Sequence, residues 1–138
     1  MADYYTVKLL GIKCLAAQEL DGDEVCIRFN GSVVWQSGSW KMHERPSKPD
    51  TFNEIDFVKG QGRNRDGWVG MSNFNAANFI FGGIQGISRF EIWEEDRRRA
   101  TDHLGAAPVS VYDAGHGKIS IVFNRVGANY MLTYEVVV

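Results

Sequence analysis

Short runs in which apolar and polar residues alternate recur along the chain, and they constrain the fold more than any other sequence feature. The run 25–29 is of this kind, and Asn30-Gly31 follows it directly. This dipeptide favours a two-residue hairpin, because a type I′ turn needs positive φ at both central positions. The two-residue period predicts strands at 7–14, 25–29, 33–35, 53–57, 90–92, 109–112, 119–123 and 130–138, with a bulge at Gly11.

The sequence predicts one all-β domain. Its 138 residues suffice for one hydrophobic core, and 44% of them are hydrophobic, which excludes a disordered chain. A helical repeat is confined to a turn or two within 94–103. Residues 36–50 are predicted as loop, and residues 72–86 carry no clear period. Short strands separated by frequent turn signals are typical of an antiparallel sandwich or barrel. We therefore expect a single domain over residues 1–138.

Charge and cysteine content narrow the function classes. The net charge of −2 argues against a general nucleic-acid binder, which is normally basic. No apolar run approaches the roughly 20 residues that span a bilayer, and the opening residues are polar, unlike a signal peptide. The two cysteines, Cys14 and Cys26, are too few for a zinc site of cysteines. Two buried thiols are favoured over a cross-strand disulfide between them, and the compartment stays open.

Acidic residues are concentrated in two segments. The first cluster lies between the first two predicted strands, and the second follows Phe90. Like charges this close repel, so they need solvent, basic partners or a hard cation, and calcium takes six to eight oxygen ligands. Calcium binding competes here with a simpler interpretation, in which these are solvated acids of turns. The two clusters are Glu19, Asp21, Asp23 and Glu24, and Glu91, Glu94, Glu95, Asp96 and Asp102.

The segment 90–105 resembles the third calcium loop of C2 domains. In that family a strand leads to Asp-x-Asp, then five residues, a third Asp, any residue, an aliphatic residue and Gly. Glu94, Asp96 and Asp102 stand at the three acidic positions, and Leu104-Gly105 closes the pattern. Glu94 departs from the family by one methylene. The resemblance also covers both ends of the chain, but not residues 36–86.

The segment 21–27 resembles the first calcium loop of the same family. Asp23 then corresponds to a ligand, and Asp21 or Glu19 would substitute for the early Asp of that loop. The resemblance implies an eight-stranded antiparallel β-sandwich of C2-like architecture, a compact bacterial variant. It also implies calcium as cofactor, held by Asp21, Asp23, Glu94, Asp96 and Asp102, and an anionic membrane as partner.

Three consecutive arginines, Arg97, Arg98 and Arg99, lie between the expected ligands. Near an anionic leaflet each contributes roughly 1 kcal/mol, and a guanidinium fits phosphate oxygens, so these residues are the candidate lipid or anion contacts. The competing interpretation is that they neutralise the surrounding acids through exposed ion pairs, each contributing little.

No catalytic constellation stands out, so we expect a binding module and not an enzyme. The histidines lack the spacing of metal ligands, and there is no G-x-S-x-G motif. The alternative to the calcium hypothesis is a metal-independent β-sandwich that recognises carbohydrate or protein. Trp35, Trp40 and Trp68 are its candidate aromatic platforms, whereas Trp93 is expected in the core or at the end of the sandwich.

Overall fold

A computed structural model of the protein describes residues 4–20, 22–38, 41–45, 51–57, 75–80, 87–95 and 102–137. These residues form strands almost throughout, with one short 3₁₀ turn at Val111–Asp113. The strands are β1 (Tyr4–Ala16), β2 (Val25–Phe29), β3 (Ser32–Gln36), β4 (Lys41–Met42), β5 (Thr51–Phe52), β6 (Glu54–Asp56), β7 (Asn75–Ile80), β8 (Ile87–Glu94), β9 (Asp102–Ser110), β10 (Lys118–Phe123) and β11 (Asn129–Val137).

Two antiparallel sheets make up the fold. One has the order β10-β11-β1, with β6 and β7 both on the remaining edge of β1. β7 pairs with the first half of β1 and β6 with residues 11–13, so the two short strands share one position end to end. The other sheet has the order β3-β2-β8-β9, and β4 and β5 form a separate parallel pair. Four strand positions in each sheet confirm the predicted all-β antiparallel sandwich.

The alternation that predicted the strands also defines the core. In β11, Tyr130, Leu132, Tyr134 and Val136 are buried, and the residues between them are half-buried. The register of β1 against β11 shifts after Leu9, which confirms the predicted bulge next to Gly11. At the Asn30-Gly31 turn the two φ angles are 50° and 85°, which confirms the predicted hairpin.

Aromatic rings join the two sheets. The ring of Phe90 lies 4.9 Å from that of Phe29 in its own sheet and 5.6 Å from that of Tyr134 in the facing sheet. Trp35 is 2% exposed and packs edge-on against Phe57 at 5.5 Å. The hypothesis that Trp35 is an exposed platform for sugar is therefore wrong. Trp40 and Trp68 lie outside the described residues.

Both cysteines are buried free thiols. Cys14 lies in β1 and Cys26 in β2, and these strands belong to different sheets. The pairing of β1 with β2 that a cross-strand disulfide requires is therefore absent.

The sandwich has two ends of different character. We call one end the acidic rim; it consists of the loop 17–24, Glu94, Asp102 and the turn 124–128. The opposite pole carries the Asn30-Gly31 turn and the 3₁₀ turn at Val111–Asp113. Within the part of the chain that the structure describes, no helix is long and apolar enough to cross a bilayer.

Candidate functional site

Adjacent strands bring the two predicted acidic segments to the acidic rim. β1 ends at Ala16, the loop 17–24 follows, and β2 begins at Val25, which pairs with Glu94 at the end of β8. Glu94 in turn pairs with Asp102 at the start of β9. The structure thus brings Asp23, Glu94 and Asp102 to the same end of the sandwich.

Three carboxylates form a tight cluster at this rim. One oxygen each from Glu19, Asp23 and Glu94 lie within 4.8 Å of one another. Asp23 is 0% exposed and Glu94 2% exposed, whereas Glu19 is half-buried. Two unit charges at that separation repel by about 3 kcal/mol at an effective dielectric constant of about 20. Bound protons or a cation would offset this repulsion.

Asp23 is held by hydrogen bonds from two parts of the chain. The backbone N–H of Gln18 donates to Oδ2 at 2.7 Å, and that of Glu19 donates to Oδ1 at 3.0 Å. From β11, the hydroxyl of Tyr130 donates to Oδ2 at 2.6 Å. Burial raises the pKa of the Asp23 carboxyl, and these three donors act against that rise. The same bonds fix the shape of the loop.

Further contacts attach this loop to its surroundings. The backbone of Asp23 pairs with Met42 in β4, through N···O distances of 2.9 Å and 2.8 Å. The side-chain amide of Gln18 donates to Oδ2 of Asp102 at 2.8 Å. Asp102 is therefore tied to the first loop, but it does not belong to the cluster of three.

The predicted site residues fall into three groups. Asp23 and Glu94 lie in the cluster, and so does Glu19, which the sequence offered as a substitute for a missing acid. Asp102 lies beside it. Asp21, Asp96 and the three arginines Arg97, Arg98 and Arg99 lie outside the described residues.

Sequence reasoning missed two residues of this site. Gln18 lies two residues after the end of β1 at Ala16, and its polar side chain at that position was an available signal. Tyr130 is 107 positions from Asp23 along the chain, and its strand period predicted only a buried aromatic residue. Nothing local in the sequence connects the two.

Exposed residues surround the cluster. Leu20, in the first loop, is 100% exposed, and its carbonyl oxygen lies 3.1 Å from Nε2 of His43. In the turn 124–128, Arg125 is exposed, and its Nη1 lies 3.0 Å from Nδ1 of His103. Aliphatic and cationic side chains therefore flank the buried acids.

A second charged group covers the outer face of the sheet formed by β2, β3, β8 and β9. The ring of Trp93 lies between the guanidinium of Arg28, at 5.2 Å, and the ring of His103, at 4.5 Å. Glu91 is 8% exposed, and its Oε2 lies 3.2 Å from Nε2 of His103. Of the two positions expected for Trp93, the core is excluded, because the alternation in β8 turns Glu94 inward and Trp93 outward. Trp93 lies half-buried at the end of β8 that reaches the acidic rim.

No protein-family model matches the chain, and no curated protein matches it. Among solved structures it is similar to human GIVD cytosolic phospholipase A2 in complex with an inhibitor and terbium chloride, at 13% identity and a TM-score of 0.44. That match covers 97% of this chain and 17% of the phospholipase chain. A structure titled as a C2 domain is 15% identical, with a TM-score of 0.41, and 98% of both chains is covered.

These matches agree with the predicted C2-like fold and describe a likeness of fold alone. The chain spans about one sixth of the length of the phospholipase, for which the covered share is 17%. The sandwich itself rests on the strand pairing described above.

Proposed function

We propose that this protein is a non-catalytic binding module that takes up calcium at the acidic rim and then contacts an anionic membrane or a protein partner. The observation that supports this most is the cluster of Glu19, Asp23 and Glu94, whose oxygens approach one another within 4.8 Å. Calcium suits such a group because it prefers oxygen ligands and accepts irregular geometry. Asp21, Asp96 and Asp102 remain proposed as further ligands from the same two segments.

The proposed affinity is low. Asp23 already accepts three hydrogen bonds, so its oxygens are largely occupied before an ion binds. Calcium binds more weakly when fewer charged ligands are available, so we expect a dissociation constant on the order of 10⁻⁴ M. Binding of this strength would respond to calcium at millimolar concentrations.

Calcium would act as an electrostatic switch. Without it, the acidic rim repels an anionic leaflet, and with it the arginines Arg97, Arg98 and Arg99 can approach lipid phosphates. Leu20 supports this proposal, because a fully exposed aliphatic side chain beside the cluster suits the boundary between headgroups and acyl chains.

Thermal melting with and without calcium tests the metal site. If 1 mM free calcium meets a dissociation constant of about 10⁻⁴ M, the folded state gains about 1.4 kcal/mol, or roughly 4 °C in Tm. In Glu94→Gln we expect the calcium shift to vanish. The calcium-free Tm of this variant is measured alongside, so that its calcium shift is taken from its own baseline.

Glu135→Gln is the matched control, since Glu135 pairs with Lys8 and Lys118 on the outside of the other sheet, away from the cluster. It removes the same charge and should keep the full calcium shift. Terbium gives a second readout, because Tyr130 lies 2.6 Å from Asp23 and can sensitise its luminescence. An unchanged wild-type Tm together with no sensitised terbium emission would remove the metal from this proposal.

Sedimentation with vesicles tests the membrane step. We expect the wild type to pellet with phosphatidylserine-containing vesicles in calcium, and to remain in solution with phosphatidylcholine alone or with chelator. Replacing Arg97, Arg98 and Arg99 by Ala should reduce pelleting. Equal pelleting of both proteins would end the role proposed for the arginines.

A further inference from the structure

The turn 124–128 lies beside the first loop at the acidic rim. β1 and β11 are neighbours, and Ala16 pairs with Asn129. The loop that leaves β1 after Ala16 and the turn that enters β11 before Asn129 are therefore side by side. This turn belongs to neither of the two segments that the sequence singled out.

The backbone of this turn is unusual for its sequence. The N–H of Ala128 donates to the carbonyl of Arg125 at 3.0 Å, and the central residues Val126 and Gly127 have φ angles of 56° and 82°. Positive φ at both positions is typical of a type I′ turn, which favours Asn-Gly. A β-branched residue rarely adopts this conformation, because its side chain crowds the backbone.

Another turn of the same chain has this backbone conformation with residues that adopt it without strain. At the opposite pole, Asn30 and Gly31 have φ angles of 50° and 85°. Val126 takes the place that Asn occupies there. Its side chain is 54% exposed, so burial in the core does not compensate for the strain. Strain that folding does not require is often found where a side chain has a function.

The neighbouring residue adds a positive charge. Arg125 is exposed, its N–H donates to the carbonyl of Leu104 at 3.3 Å, and its guanidinium lies 3.0 Å from His103. These contacts hold the turn against β9 at the rim. An exposed aliphatic tip beside a guanidinium suits a bilayer surface, where the first enters the acyl boundary and the second binds phosphate oxygens.

We propose that the turn 124–128 is an additional membrane-contacting element, in which Val126 inserts into the bilayer and Arg125 binds a lipid phosphate. The occupant is a bilayer that contains anionic lipid. This inference rests on the membrane docking proposed above, and it adds a contact outside the two acidic segments. Together, Val126 and Leu20 would form two apolar tips on adjacent connections.

Val126→Asn separates a membrane role from a structural one. Asn tolerates positive φ, so the variant should melt at or above the wild-type Tm. Loss of the apolar tip should weaken partitioning into phosphatidylserine-containing vesicles by roughly fivefold, measured in calcium. Val126→Gly should behave in the same way, because Gly also accepts this backbone. Arg125→Gln should lose about fivefold, and only on vesicles with anionic lipid.

Val122→Thr is the matched control. Val122 is also 54% exposed, but it lies within β10 and not at the tip of the turn. We expect its partitioning to equal that of the wild type. Wild-type partitioning by both Val126 variants would overturn this inference and leave the proposed function intact. If the wild type fails to bind vesicles of either composition in calcium, the proposed function falls, and this inference with it.

Discussion

In the proposed calcium site, Asp23 would have two roles that compete for the same oxygens. Its carboxylate accepts three hydrogen bonds that shape the loop, and an ionised carboxylate has about four acceptor positions. Only about one position then remains for a cation. Asp23 would therefore act mainly as the fixed point of the site, and Glu19 and Glu94 would supply the remaining protein oxygens of the cluster.

The buried thiol of Cys14 gives a prediction about a single residue. Burial raises the pKa of its thiol from 9.0 to about 12. Because the folded protein holds this proton more tightly than the unfolded chain, the stabilisation is complete below pH 9.0 and is lost as the pH rises to about 12. We expect Cys14 to be inert to a disulfide reagent at pH 8 until the protein unfolds.

A Cys26→Ala variant isolates this thiol for the measurement. Rapid labelling of the native variant at pH 8 would contradict the prediction, and labelling only in denaturant would support it.

At the scale of elements, β9 contains a bulge that depends on a glycine. Ile92 pairs with Gly105 but Trp93 with His103, so Leu104 is the additional residue. Gly105 has a φ of 150°, and a Cβ there would lie 2.8 Å from Cδ1 of Phe123 in the facing sheet. Gly105→Ala should lower the free energy of unfolding by about 1–3 kcal/mol, because the ring cannot retreat within a packed core.

Urea unfolding measures this effect, with Gly117→Ala as the control. Gly117 also has positive φ, at 73°, but a Cβ there meets nothing within 4 Å. Gly117→Ala should therefore lower the free energy of unfolding only through backbone strain, on the order of 1 kcal/mol. Equal losses for both variants would show that contact with Phe123 contributes nothing.

Strand period predicted β6, of three residues, and β11, of nine, but it missed β7 and gave β9 only from residue 109 on. β1, β2, β8 and β11 were predicted because several alternating residues define each of them. The parallel pair of β4 and β5 has two residues in each strand, too few to show a period, and β4 fell in a region predicted as loop. For the site, the resemblance to two C2 calcium loops is what predicted that Asp23 and Glu94 lie together. The burial of Glu94 was missed because the predicted strand ended at Ile92, two residues early.

At the scale of the whole molecule, Phe90 lies at the contact between the two sheets. It is 0% exposed and touches aromatic rings of both sheets. Phe90→Ala should lower the free energy of unfolding by about 3–5 kcal/mol, since a cavity at this place cannot close without moving a sheet. Tyr112→Ala, at an 84% exposed side chain, should stay within about 0.5 kcal/mol of the wild type. If Phe90→Ala lowers the free energy of unfolding by less than Gly105→Ala does, the central position given to Phe90 is contradicted.

The pairing of Thr6 with Val137 has a practical consequence. Both strands leave the sandwich side by side at the pole opposite the acidic rim. A label attached at Thr6 or Val137 would therefore lie at the pole opposite the acidic rim. Immobilised on a sensor surface through a linker at one of these residues, the molecule would leave the acidic rim open to a flowing analyte.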